Sequence, residues 1–174
     1  MQERTEFKIL EVDRQWIAGV LAKSGAKLIF EGEIVTTYFD KPSENLVRSG
    51  RRLRLRKKAD VATLSLRDKY LESLKGFVHE VEVEVSNYDE MLKMLKTLGY
   101  QEFKVFSKYR YDYEVDDVVV SFDKYQGDYD KIPEFMTIEA DDEDEVYEWA
   151  ERLGYAKKDC VAISIIDLIN KYHK

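Results

Sequence analysis

The sequence predicts an α+β fold: eight mostly antiparallel strands forming a closed β-barrel, or one nearly closed, with helices packed outside. Three observations predict it. Eight segments show the two-residue alternation of strands. Mostly short connections join them, which favours antiparallel pairing. Helical segments follow only some of the strands, so helices and strands do not alternate regularly. With 174 residues and no Pro/Gly/Ser-rich linker, residues 1–174 read as a single domain.

Glu6–Leu10 opens the set as a strand. From Asp13 to about Lys23 the pattern turns helical, with Trp16, Ile17, Val20 and Leu21 on one face and a stop near Gly25. Ile34–Phe39, Arg52–Lys57, Ala62–Arg67 and Val78–Val85 alternate as strands two to five. Asn87–Tyr100 is a helix: Asn87 and Asp89 suit its start, the apolar residues have helical spacing, and Gly99 suits its end. Strands six to eight are Val105–Tyr113, Val118–Tyr125 and Phe135–Ala140. Asp142–Tyr155 repeats the design of the preceding helix, and both end Leu-Gly-Tyr. Its leading acids complement a helix N-terminus, so the run 141–145 reads as a solvated helix entrance rather than a metal site. Cys160–Tyr172 closes the chain as a last helix.

Composition narrows the function. A formal net charge of −7 argues against broad nucleic-acid binding, although a local cationic cluster can still hold a small anion. No apolar run approaches the roughly 20 residues of a membrane span. The opening MQERTEFKIL has no apolar signal core. A lone cysteine, Cys160, makes no internal disulfide, and a reducing cytoplasm is the default location. One cysteine and two histidines (His79, His173) are too few for an ordinary structural zinc site. Any metal would be a hard ion held by carboxylates: magnesium, manganese or calcium.

The polar faces carry the functional signal. In GRRLRLRKK, Leu53 and Leu55 face one way in a strand while Arg52, Arg54 and Arg56 face the other. Two readings are open: a solvated strand with charges outside, or a barrel with arginines inside and leucines under helices. The other strands contribute Arg4, Glu6 and Lys8; Thr63, Ser65 and Arg67; Glu80, Glu82 and Glu84; Lys108, Arg110 and Asp112; Ser121 and Asp123; Thr137 and Glu139. The signs are sorted by strand, so a barrel closed on these faces would have a cationic and an acidic wall. Arginines suit phosphate oxygens, and carboxylates suit a hard divalent ion bridging to them. Tyr109, Tyr111 and Tyr113 fall on the opposite side as outer packing, His79 lies on the apolar side of its strand, and Trp16 and Trp149 sit at core spacing.

The ordered set of motifs resembles the CYTH superfamily, the triphosphate tunnel metalloenzymes, which include class IV adenylate cyclases, thiamine triphosphatases and inorganic triphosphatases. Glu6-Phe7-Lys8 matches the end of the family's opening Glu-x-Glu-x-Lys, with Arg4 at its first acid. Leu53-Arg54-Leu55-Arg56 matches Leu-Arg-x-Arg, and Leu64-Ser65-Leu66-Arg67 is a conservative Leu-Thr-x-Lys. Glu80-Val81-Glu82 matches Glu-x-Glu, with Val78 at the usual preceding Arg. Lys108-Tyr109-Arg110, the late Asp123 and Phe135-Met136-Thr137-Ile138-Glu139 follow, the last with Thr137 at an acid. Ser164-Ile165-Ile166-Asp167-Leu168 resembles an ending common near the cyclase branch.

The resemblance covers about Glu6 to Leu168 and implies an eight-stranded tunnel that binds a triphosphate with Mg2+ or Mn2+. It implies phosphate binding by Lys8, Arg54, Arg56, Arg67, Lys108 and Arg110, and metal binding by Glu6, Glu80, Glu82, Asp123 and Glu139, with Glu6 and Lys8 catalytic. Its substrates would be ATP, thiamine triphosphate or tripolyphosphate, and a homodimer is expected by analogy with related cyclases. The expected activity is conversion of ATP to cyclic AMP and pyrophosphate. Triphosphate hydrolysis, or nucleotide and polyphosphate binding without turnover, are the alternatives that Arg4 and Thr137 keep open.

Overall fold

The computed structural model describes residues 4–42, 46–68, 79–163 and 165–172. Its strands are β1 (Thr5–Leu10), β2 (Lys27–Asp40), β3 (Arg51–Lys58), β4 (Val61–Asp68), β5 (His79–Val85), β6 (Gln101–Val115), β7 (Val118–Tyr125) and β8 (Phe135–Ala140). The helices are α1 (Arg14–Lys23), α2 (Tyr88–Thr97), α3 (Glu143–Arg152) and α4 (Ile165–Tyr172). The fold is α+β. Its eight-stranded antiparallel sheet runs in the order β1-β8-β7-β6-β2-β3-β4-β5.

The sheet is not closed by hydrogen bonds, so the closed barrel expected from the sequence is not confirmed. Part of the reason is local. At Lys8 the outer edge of β1 is taken by Val161, with Lys8 N–H donating to the Val161 carbonyl at 3.0 Å and Val161 N–H to the Lys8 carbonyl at 2.8 Å. Backbone groups already paired there are not available to another strand.

Three helices begin alike, each on an Asx side chain that accepts an otherwise orphaned N–H: Asp13 from Trp16, Asn87 from Glu90, and Asp142 from Glu145, at 3.1, 3.0 and 2.9 Å. Asp142 therefore serves as the helix entrance expected of the acid run. α2 and α3 end before Gly99 and Gly154, whose φ of 86° and 85° is the left-handed turn that stops a helix.

The chain divides into two compact units, Met1–Gly32 with Lys108–Lys174, and Glu33–Ser107. In the first, one face of β1, β8, β7 and β6 packs on α1 and α3. Ile9, Val120, Phe122, Met136 and Ile138 meet Ile17, Leu21, Val146, Trp149 and Leu153 there, with Tyr111 and Tyr113 against the edge of this core. In the second, Phe39, Leu53 and Leu55 pack with Leu95 of α2. Two apolar expectations differ. Trp16 is 54% exposed because its ring lies over Gly154, where an added Cβ would meet it at 2.8 Å. Val81 and Val83 are also exposed, since β5 ends the sheet order. The His79 side chain lies outside the described residues, as do Val78, Ser164 and His173.

Candidate phosphate and metal site

In the first unit, alternation and register fix which side chains share the face opposite the core. Glu6 stands across from Glu139 and Lys8 from Thr137; Thr137 pairs in turn with Ser121; Asp123 pairs with Arg110 and Ser121 with Asp112. Lys108 shares the face by alternation with Arg110. The middle of this face is not washed by solvent: Asp112, Ser121, Asp123 and Thr137 are 4%, 6%, 2% and 6% exposed, while the Glu6 and Glu139 side chains are 55% and 39% exposed. The solvated-strand reading therefore fails here. A sheet that buries charge opposite an apolar core can hold those charges only if they are paired or bound.

Asp123 is the centre of the pairing. One carboxylate oxygen accepts Arg110 Nε at 2.7 Å; the other accepts Arg110 Nη2, and Lys108 Nζ at 2.9 Å. Burial alone would raise the Asp123 pKa, but Lys108 and Arg110 hold it below the ordinary carboxylate value. Burial also acts on Lys108 and brings its ammonium down to about 8, against the pull of Asp123 and with help from neighbouring Arg110. Burial disfavours the Arg110 charge too, but its bond to Asp123 raises it overall, so it stays cationic.

Lys8 Nζ donates to Glu6 at 2.8 Å. Burial would raise Glu6, yet Lys8, with Arg110 and Lys108 behind it, keeps it low and ionised. Arg4 lies on the same strand-end as Glu139. Its Nε sits 3.5 Å from the Glu139 carboxylate and 3.7 Å from that of Asp141, and its Nη2 donates to the backbone carbonyls of Glu139 and Asp117. Arg4 is thus an internal counter-ion for two acids at the end of β8.

In the second unit the ladders align Arg54 with Ser65 and Glu82, Arg56 with Thr63 and Glu84, and Arg52 with Arg67 and Glu80. Arg54 Nε donates to Ser65 Oγ at 2.7 Å, and Glu82 lies 3.7 Å from Arg54 and 3.5 Å from Arg56. Leu53 and Leu55, on the other side of β3, are covered by α2. Alternation in GRRLRLRKK therefore separates a helix-packed side from an arginine side.

The structure brings Lys8, Lys108, Arg110 and Asp123 together on one largely buried face, with the more exposed Glu6 and Glu139 beside them, and it brings Arg54, Arg56 and Glu82 together in the second unit. Arg67 is exposed on β4, and the Glu80 side chain lies outside the described residues. Glu6, Glu82, Asp123 and Glu139 each sit against a cation. Sequence reasoning missed Asp141 as a partner of Arg4; the one available signal was that Asp141 directly follows β8 and precedes the Asp142 cap.

Among the described residues no three His, Cys, Asp or Glu side chains gather as a metal site. The donors present are all oxygens, and Glu6 directly faces Glu139. Two such carboxylates fit a magnesium-like ion, which takes the rest of its shell from water and phosphate. Asp123 already spends both oxygens on cations.

Comparison with known proteins agrees with this architecture. A solved structure described as that of a candidate adenylate cyclase from Vibrio parahaemolyticus superposes with a TM-score of 0.78 at 16% identity, covering 97% of this chain and 98% of that one. The PH1012 protein of Pyrococcus horikoshii gives 0.71 at 23% identity, with 95% and 99% covered. A candidate adenylyl cyclase of Hippeastrum, described as revealing a dominant triphosphatase activity, gives 0.67 at 14% identity, with 97% and 96% covered. These similarities show a shared fold. No curated protein matches significantly in sequence. No helix among the described residues is long and apolar enough to cross a membrane. The model of the CYTH domain matches residues 2–163, nearly the whole chain, and the protein belongs to the CYTH domain family.

Proposed function

We propose that this protein is a divalent-metal-dependent enzyme acting on a triphosphate, and that it converts ATP to cyclic AMP and pyrophosphate. The observation that carries the reading is the buried ionic face of the first unit. Lys108, Arg110 and Lys8 stand there opposite an apolar core, held in place by Asp123 and Glu6, and clustered, partly buried cations of this kind suit phosphoryl oxygens. In this reading the sheet closes into a single-domain barrel. Lys8, Lys108 and Arg110, with Arg54, Arg56 and Arg67, hold phosphoryl oxygens, and Asp123 keeps the Arg110 fork oriented. Glu6 and Glu139 hold Mg2+ or Mn2+, with Glu80 and Glu82 as further candidates. The ion supplies charge neutralisation on the phosphates.

Glu6, held low by its lysine, is suited to keeping a cation rather than to taking a proton. Lys8 beside it steadies charge that develops on the transferred group, which is the main demand of phosphoryl chemistry. In the cyclisation the ribose 3′-oxygen bonds to the α-phosphorus, its proton leaves to solvent or base, and the bond to pyrophosphate breaks. Likeness to the Vibrio parahaemolyticus fold supports this direction, and likeness to that of Hippeastrum supports hydrolysis of the terminal phosphate.

Product analysis separates the two. Incubation with ATP, thiamine triphosphate and tripolyphosphate, each with Mg2+ or Mn2+, is expected to yield cyclic AMP and pyrophosphate from ATP. Orthophosphate release would move the assignment to a triphosphatase. No turnover of any of the three, with ligand-induced thermal stabilisation intact, would make the protein a binding module.

A further inference from the structure

Thr137 carries an unexplained feature. It lies in β8 with Lys8 directly across on β1 and Ser121 directly across on β7. The residue is 6% exposed, and its hydroxyl oxygen is buried without a hydrogen-bond partner. A buried hydroxyl left unpaired is destabilising, and a strand position of this shape would accept valine at no such cost. Lys8 beside it keeps donors to spare: an ammonium has three, and Glu6 takes one.

The second unit repeats the motif independently. Thr63 lies between Arg56 and Glu84, on the arginine side of its sheet, and its hydroxyl oxygen is likewise buried and unpaired.

We propose that Thr137 is a ligand-binding residue whose hydroxyl donates to a phosphoryl oxygen while the neighbouring Lys8 ammonium balances that oxygen's charge. The Lys8–Thr137 pair is then an oxyanion subsite that needs no metal. A hydroxyl can face a phosphate directly, whereas an acid in its place would require a cation between them. This rests on the triphosphate reading and adds to it which row of the sheet takes a phosphoryl group without an ion.

The test is calorimetric titration of tripolyphosphate into the wild type, Thr137→Val and Thr137→Ser, in chelator and in Mn2+, beside thermal unfolding of each free protein. Thr137→Val is expected to weaken binding in chelator roughly tenfold or more. Its free-state melting temperature should be unchanged or higher, because the orphan hydroxyl is gone. Thr137→Ser should bind like wild type. Wild-type affinity in Thr137→Val overturns the subsite while leaving the triphosphate reading intact. So does a loss that appears equally in Thr137→Ser or together with a lowered melting temperature, which would indicate packing. Failure of the wild type to bind tripolyphosphate under either condition overturns both.

Discussion

Replacing Asp123 with asparagine keeps the shape of the side chain and removes its charge. Asp123 is 2% exposed, and the side chains of its partners Lys108 and Arg110 are 16% and 23% exposed, so little solvent screens the loss. Removing one partner from a buried ion pair costs about 3–5 kcal/mol, and the residual exposure of the cations favours the lower end, about 3 kcal/mol. For a chain of this size that corresponds to a melting temperature lower by roughly 6–12 °C. The pH dependence has a definite sign. Asp123 is held below its ordinary value, so its contribution is present above roughly pH 4 and is lost as pH falls through the folded value. The variant should therefore lose less stability than wild type on acidification. Binding should move the other way, because freed cations favour an added polyanion: tripolyphosphate should stabilise Asp123→Asn by more than it stabilises wild type. Thermal scans with and without tripolyphosphate, repeated down the acid range, read all three effects. An Asp123→Asn protein as stable as wild type at neutral pH would refute the reasoning, since the carboxylate could not then be the buried partner of two cations.

Other expectations concern different residues. Lys108 sits at about 8 in the free protein, so tripolyphosphate binding at pH 8 should take up protons and weaken as pH rises further; calorimetry in buffers of different ionisation enthalpy measures this. Because that value lies below the unfolded 10.5, the stability of the free protein should rise with pH between the two. Leu55→Ala, at a fully buried position under α2, should cost about 2–5 kcal/mol in a urea titration. Arg4→Gln should free Glu139 and tighten Mn2+ binding about fivefold, the worth of a part-exposed ion pair, as read by manganese titration.

The alternation of apolar and polar residues made most of the scaffold legible. The expected bounds of β7 and β8 match the structure, and three Asx caps begin helices where their sequence signal stood. β2 and β6 are longer than expected for a physical reason. Lys27–Gly32 runs through Leu28, Ile29 and Phe30 without alternation, and Leu28 and Ile29 are both about half exposed at 47% and 51%. Where neither face is buried, no two-residue period is imposed. Phe103, near the start of β6, is exposed in the same way. The helical period placed Trp16 on the packed face, but the absence of a side chain at Gly154 gives its ring a surface resting place that spacing does not encode. For the site, alternation shows which side chains share a face and not which of them pair. Arg4 with Glu139 and Asp141, Arg110 with Asp123, and Arg54 with Ser65 depend on strand neighbours far apart in sequence.

The most direct test of the account is a crystal structure with tripolyphosphate and Mn2+ bound. It should show phosphoryl oxygens on Lys8, Lys108 and Arg110, and manganese on Glu6 and Glu139. A polyphosphate lodged elsewhere, with Lys108 and Arg110 still bound to Asp123, would contradict it.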